Sequence, residues 1–394
     1  MRIAHLADLH LGFRQYHRQT SGGINQREAD VANAFRAAAA GVIEARPDAI
    51  ILAGDLFHAV RPSNHSIVFA FRQLQLIREA LPNTPIILIA GNHDTPRSSD
   101  TGSILQLFEE LGVSIAADAA RRLTFPALDL SVLAVPHAAW FGAEPLVLRP
   151  EGPEKHQVLV LHGEVEGLFP SDRTSVEYGG VVFDAATLEC ERWSYVALGH
   201  YHVQHEVAKN IWYSGALEYV SPNPWGELAD EARHKIRGKG WLLADLDAGR
   251  VTRVPVAAGR PIFDLPRVDG EGLSAALLDQ AIAARLAEIP GGIADTIVRL
   301  VVENVPRHIS RDLDHAALRA AKAQALHFQL DLRRPESASE RGNAAPGGRK
   351  TLPEVVGEFL ARRPLPERVD RARFVSTGLD VLAEAAEAAD GEPL

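Results

Sequence analysis

Six short apolar runs constrain this chain more than any other feature of its sequence: Ile3–Ala7, Ala49–Ala53, Ile86–Ala90, Val132–Val135, Val158–Leu161 and Val196–Leu198. They are β-branched and apolar on both faces, as strands buried inside layers are. Segments of helical period lie between several of them, at Glu28–Arg46, Ser66–Leu81 and Thr101–Leu111. The last carries Ile104, Leu105, Leu107, Phe108 and Leu111, a one-face pattern. Strand–helix alternation predicts a layered α/β fold. Ile211–Ser214, Gly240–Leu246 and Val251–Val256 follow without helices between them, in the manner of hairpins, so the sheet is expected to be mixed.

The 394 residues are enough for two or three domains. The composition shifts near residue 258. Residues 1–258 are read as the main domain and 259–332 as a small α+β domain. The small domain should hold a helix at Leu273–Glu288, a strand at Thr296–Val302 and a helix at Ser310–Ala325 with Ser310 as N-cap. Residues 333–350, RRPESASERGNAAPGGRK, read as a flexible linker. Two amphipathic helices, Leu352–Arg362 and Glu367–Ala388, should follow in 351–394. A helix pair on a tether cannot bury its apolar faces alone, so docking on a partner is expected, packing onto its own domain being the plainer reading.

With 46% hydrophobic and 23% charged residues, the chain reads as globular. No apolar stretch is long enough to span a membrane. Asp8 and His10 stand where a signal peptide needs an apolar run, and Cys190 is the one cysteine, so a reducing cytoplasm is expected and a multi-cysteine metal site is excluded. The net charge of −10 counts against a nucleic-acid binder, since most carry a basic excess.

Chemistry concentrates in five clusters: Asp8-Leu9-His10, Gly54-Asp55, Gly91-Asn92-His93-Asp94, His162-Gly163 and Gly199-His200-Tyr201-His202. Each closes an apolar run, and the C-terminal strand edge is where open α/β sheets bind ligands. Imidazoles suit transition metals and carboxylates suit hard cations, so the set suits two adjacent divalent ions, with Asp55 between them. Two ions about 3.5–4 Å apart activate water and neutralise phosphate oxygens during attack on a phosphoester. His93 would then donate to the leaving oxygen, and Asp94 would orient that imidazole. Capping of strand ends is the plainer reading, and it leaves this order of histidines and aspartates unexplained.

The order D-x-H, G-D, G-N-H-D, H, G-H-x-H resembles that of the calcineurin-like metallophosphoesterases. HLADLHLG, ILAGDLFH at residues 51–58, Arg61-Pro62-Ser63, LHGEVEG and YVALGHYH are similar to the SbcD-type DNA repair nucleases over about the first 260 residues. The resemblance implies one metal held by Asp8, His10, Asp55 and His202, and another by Asp55, Asn92, His162 and His200. It implies manganese, a catalytic His93, and a role for His58 in handling the DNA end. It also implies a capping role for the small domain, a homodimer, and a long coiled-coil SbcC-like ATPase docked by residues 352–388. The activity implied is exonuclease on duplex ends and endonuclease on single strands, in DNA repair.

Candidate DNA contacts are Arg14, Arg61 and Arg97, beside the clusters. Phe13, Tyr16, His17, Arg18 and Arg27 form a basic and aromatic stretch, and Arg233, His234, Lys235, Arg237 and Lys239 a basic run; each also reads as solvated surface. Rival readings are a phosphoesterase for small nucleotides, favoured by the acidic charge, and a non-enzymatic clamp on an ATPase.

Overall fold

The computed structural model describes all residues except 97–101, 143–145, 168–179, 185–187, 189, 258, 336–350, 364, 366–368 and 391–394. Met1–Arg333 form one unit and Arg334–Leu394 another. The layered α/β fold expected from the sequence is present, built on two mixed sheets.

The chain begins with β1 (Arg2–Leu6), helix α1 (Gln26–Ala45), β2 (Ala49–Leu52), helix α2 (Asn64–Ala80), β3 (Ile86–Ile89) and β4 (Ser114–Ala116). These four strands are parallel. Next come β5 (Arg121–Phe125), β6 (Leu130–Val135), β7 (His156–His162), a short pair β8 (Glu164–Val165) and β9 (Val182–Phe183), then β10 (Tyr195–Gly199), β11 (His205–Ala208) and β12 (Ile211–Tyr213). Helix α3 (Pro224–Arg233) leads to β13 (Gly240–Asp245) and β14 (Arg250–Pro255), the expected hairpin, which returns to pair antiparallel with β1. One six-stranded sheet runs β14-β13-β1-β2-β3-β4, and the other β11-β12-β10-β7-β6-β5.

The two-sided apolar runs have a simple physical outcome. Ile3, Ala7, Ile51, Ala53, Ile87 and Ile89 face Val132, Ala134, Val158, Val160 and Ala197 of the opposite sheet across a dry layer. The alternate positions Ala4, Leu6, Ile50, Leu52 and Leu88 pack under α1 and α2 with Phe35 and Leu74. Each fully buried large aliphatic side chain in these layers stabilises the fold by about 1.5–3 kcal/mol.

The segment expected as an α-helix at Thr101–Leu111 is instead a 3₁₀-helix over Ile104–Leu111, between a Ser103 cap and a left-handed Gly112; Thr101 lies outside the described residues. Leu105 and Phe108 are its buried residues, three apart, and residues three apart eclipse on a 3₁₀-helix.

The third sheet holds β15 (Ile262–Asp264), β16 (Val268–Asp269), β17 (Ile297–Glu303) and β18 (His327–Leu332), all parallel to β17. Helices α4 (Ala275–Ala287), α5 (Arg307–Arg311) and α6 (His315–Gln324) accompany it. The helix expected at Ser310–Ala325 is thus split. Asp314, not Ser310, is the cap: its side chain accepts from Ala316 and Ala317, whereas the Ser310 hydroxyl donates to the Arg307 carbonyl. Tyr16 stacks on His327 at 4.0 Å, and Trp225, Ile297 and Leu326 form a shared cluster, so this sheet is fastened to the two-sheet body.

In the second unit, α7 (Leu352–Arg362) starts at a capping box in which the Glu354 carboxylate accepts from the Thr351 main chain at 2.6 Å. It pairs with α8 (Arg371–Asp390), Gly357 facing Leu379 and Gly378 facing Leu360. Leu352, Val355 and Phe359 remain exposed. Most of the expected linker, 336–350, lies outside the described residues, as does Pro364. Among the described residues no helix is long and apolar enough to cross a membrane.

His5 on β1 is fully buried, with Nδ1 2.9 Å from the Tyr195 hydroxyl of the facing sheet. Burial pushes its pKa down to about 3 from 6.5. The unfolded chain therefore binds a proton between those values that the folded chain refuses, and stability falls as pH drops through this window. His5→Gln keeps a polar partner for Tyr195 and removes the titration. Denaturant unfolding of this variant should depend less steeply on pH between 6 and 4 than that of the wild type; an identical slope would place the acid sensitivity elsewhere.

Candidate metal centre

The parallel strands β1, β2 and β3 of one sheet, and β7 and β10 of the other, deliver their C-terminal ends to the same edge. Two loops are zipped there by main-chain hydrogen bonds: Asp8 donates to Gly54, His10 to Asp55 and Leu11 to Leu56, each at 3.0 Å. Gly199 lies beside His162 in the parallel register of β10 and β7. Asp8, His10, Asp55 and His200 all adopt left-handed backbone angles (φ 53°, 45°, 52° and 97°). Such angles cost non-glycine residues free energy, and their clustering marks a functional edge. Glycine is required at position 91, where a Cβ would strike the Asp55 carboxylate and lie 2.6 Å from its main-chain nitrogen.

These turns converge the expected residues. Asp8, His10, Asp55 and His162 are completely buried, and His200 and His202 nearly so. Donor atoms of Asp8, His10 and His202 lie within 4.8 Å of one another, as do those of Asp8, Asp55 and His162. His10 Nε2 stands 3.2 Å from His202 Nε2. Asp55 Oδ2 lies 3.2 Å from His162 Nε2 and 3.7 Å from His10 Nε2, between two imidazoles of opposite sheets. The Asn92 side-chain oxygen sits 2.9 Å from His162 Nε2 and 3.3 Å from His200 Nδ1.

The donor set fits divalent cations. His162 Nδ1 donates to the Ala53 carbonyl at 2.8 Å, which turns Nε2 toward Asn92 and Asp55. His10 Nδ1 is 3.2 Å from His58 Nδ1, so His58 holds the outer nitrogen of His10 while its Nε2 faces inward. Burial raises the pKa of Asp55, yet His162, His10 and His93 outweigh it and hold the carboxyl well below the usual range. Burial likewise opposes charge on His162, but Asp55 outweighs it and the pKa rises to about 10. The field at this edge calls for positive charge, and a divalent ion answers it better than a proton does.

His93 is half-buried beside this cluster. Its main-chain N–H donates to Asp55 Oδ1 at 2.9 Å, its Nδ1 to the His58 carbonyl at 2.7 Å, and its ring stacks on His58. The expectation for Asp94 is corrected here: its oxygens accept from the main-chain amides of Leu56, Phe57 and Gly91 at 3.0, 3.0 and 3.2 Å. It braces the loops that follow β2 and β3, and the His93 ring is held through Nδ1 by the His58 carbonyl. Burial, reinforced by Asp55, pushes the Asp94 pKa up to about 7.

The expected DNA contacts fare unevenly. Arg14 is exposed at the rim, with Nε bonded to Glu28 at 2.7 Å, and Arg61 is exposed after the His58 loop; Arg97 lies outside the described residues. The basic and aromatic stretch is mostly structural. Phe13 is core, Arg27 is buried against Asp30 and Glu218, and Arg18 reaches Asp295 of the small sheet at 2.5 Å. Lys239 is likewise buried, paired with Glu227 and Glu231. Glu227 and Glu231 escaped the sequence reading because nothing in a helical glutamate distinguishes a buried one from an exposed one.

An edge lined by buried imidazoles and carboxylates, on a two-sheet α/β sandwich, defines a metal-dependent phosphoesterase. The chain belongs to the calcineurin-like phosphoesterase family, whose model matches residues 1–204. It is also similar to the DNA double-strand break repair protein Mre11 of Methanocaldococcus jannaschii, 26% identical over 62% of this chain and 62% of that protein. The Mre11 protein of Methanococcus maripaludis is 29% identical over 67% of this chain and 69% of its own length, and that of Sulfurisphaera tokodaii 30% over 52% and 49%. The chain thus matches roughly half to two thirds of the length of these relatives.

Asp94→Ala should lower unfolding free energy by an amount on the order of 3 kcal/mol, because three buried amides lose their acceptor. Unchanged stability with abolished phosphoester hydrolysis would instead give Asp94 a direct part in the chemistry.

Proposed function

We propose that this chain is a two-metal DNA nuclease that works with an SbcC-like coiled-coil ATPase in DNA repair. The convergence of Asp8, His10, Asp55, Asn92, His162, His200 and His202 at one sheet edge carries the reading. Asp8, His10, Asp55 and His202 would hold one ion, and Asp55, Asn92, His162 and His200 the other, with manganese the expected metal. When bound, the ions supply Lewis-acid activation of the phosphodiester and of the attacking water. Asp55 lies between the two sets and fixes their spacing. His93, whose ring is anchored through Nδ1 to the His58 carbonyl, would in its doubly protonated form give a hydrogen bond or proton from Nε2 to the leaving oxygen. Arg14 and Arg61 would meet backbone phosphates at the rim, which offers local positive charge on an acidic chain.

The similarity to Mre11 proteins supports a role on DNA ends, as exonuclease on duplex and endonuclease on single strands. The small sheet, tied to the body through Tyr16 and Trp225, would be the cap that positions DNA. The exposed apolar face of α7 supports docking of residues 352–388 on the ATPase, and the chain would act as a homodimer. The acidic net charge favours a second reading, hydrolysis of small phosphoesters without DNA.

One assay separates these. With manganese, the purified chain should release label from end-labelled duplex and cut circular single-stranded DNA, while Asp55→Ala should do neither. Turnover of a small chromogenic diester with DNA untouched, even after the ATPase is added, would favour the second reading. His93→Ala should lose at least a hundredfold in cleavage rate with manganese binding retained by calorimetry; loss of the metal would reduce His93 to a scaffold residue. Deleting 352–394 should leave the melting of the Met1–Arg333 unit unchanged and abolish pull-down of the ATPase. A large fall in melting temperature would show instead that the helices stabilise their own chain.

A further inference from the structure

Lys239 is almost wholly buried, at 3% exposure, and a buried ammonium is costly unless fully paired. Its Nζ meets Glu227 Oε2, lies 3.3 Å from Glu231 Oε1, and sits 4.4 Å from the centre of the Tyr219 ring. It also donates to the main-chain carbonyl of His202 at 3.0 Å. Glu227, on the first turn of α3, is as deeply buried. Its Oε1 accepts from the Ser221 amide at 2.8 Å and faces Nδ1 of His202 at 3.5 Å. The opposite nitrogen, Nε2, is the one that approaches His10 and the Asp8 cluster. The His202 imidazole therefore has a carboxylate behind it and the candidate metal set in front, while the ammonium grips its carbonyl.

We infer that Glu227, with Lys239 as its counter-ion, is a positioning residue that holds His202 in the Nδ1–H form with the Nε2 lone pair aimed at the metal set. The inference rests on the two-metal reading above. A carboxylate at the outer nitrogen favours a proton there, and the inner nitrogen is then free to ligate. The reverse tautomer would point an N–H at a cation. Lys239 keeps Glu227 ionised and, through the His202 carbonyl, sets the backbone that carries the ring. Neither residue touches substrate.

Two readouts test this on the full chain. In metal-free protein labelled with ¹⁵N-histidine, long-range proton–nitrogen spectra at neutral pH should show His202 as the Nδ1–H tautomer, assigned by loss of its signals in His202→Gln. This holds whether or not metals are functional, so it decides the inference separately from the two-metal reading. Calorimetric titration with Mn²⁺ should give two binding events in the wild type. The double variant Glu227→Met/Lys239→Met removes the buried ion pair and leaves Glu231 without its ammonium partner, so its fold is checked first by circular dichroism. It should lose the Nδ1–H preference and weaken one of the two Mn²⁺ events by about 10–100-fold, leaving the other unchanged. An Nε2–H tautomer in the wild type, or unchanged tautomer and Mn²⁺ affinity in the folded variant, would overturn the inference and leave a purely structural ion pair. Should the double variant fail to fold, Glu227→Gln takes its place with the same two readouts. A wild type that binds no Mn²⁺ would sink the two-metal reading while the tautomer still decides the role of Glu227.

Discussion

The structure depends on one buried contact, between the Asp55 carboxylate of the first sheet and the His162 imidazole of the second, 3.2 Å apart. A carboxylate with no exposed surface is strongly disfavoured unless its oxygens are answered by hydrogen bonds or positive charge. The amide of His93 serves one oxygen and the imidazoles of His162 and His10 flank the other. For that contact to form, the sheets must approach closely at this edge. The inter-sheet layer carries Ala7, Ala53 and Ala197 where it nears the site. At Gly199 a Cβ would collide with the Ala53 carbonyl and with His162. Small residues here are a condition of the site, not a weakness of the core.

The same logic governs the second layer of groups around the centre. Asp94 gathers three amides of the ligand loops, the Ala53 carbonyl sets one histidine ring and the His58 carbonyl another. Precision in the inner residues comes from backbone groups that are themselves fixed by the sheets. Helix α3 extends this support outward: Glu227 stands behind His202, while Trp225 on the same helix donates to Gln329 of the small sheet at 2.9 Å. The small sheet and one side of the centre thus share a rigid element.

Charge is distributed in a way that the net value of −10 conceals. Arg27 and Lys239, which belong to basic stretches of the sequence, are interior and paired, and Arg18 and Arg260 fasten the small sheet through Asp295 and Asp30. These four cations therefore serve the structure, while Arg14 and Arg61 are exposed. In the nuclease reading, bound divalent ions would add positive charge at the edge of an acidic chain.

The sequence by itself determined the layers and the address of the site. The apolar runs fixed which residues become buried strands, because period and β-branching act locally, and the polar clusters that close them had to emerge at strand ends. What local pattern could not decide was partnership. That the runs divide into two sheets, with β13 returning to β1, depends on which hydrophobic faces meet over long sequence separations. The helix expected at Ser310–Ala325 broke because Ser310 lies inside the short helix Arg307–Arg311, and Asp314 caps the helix that follows. Tyr16, Arg27 and Lys239 resembled surface contacts until the fold enclosed them, since burial is a property of the whole chain. The buried aspartates and histidines of the edge were legible because their chemistry is written in residue type. Asp94 against His58, and Glu227 behind His202, were decided only by tertiary structure, because which nitrogen a carboxylate or carbonyl meets is set by ångström-scale placement of elements far apart in the chain.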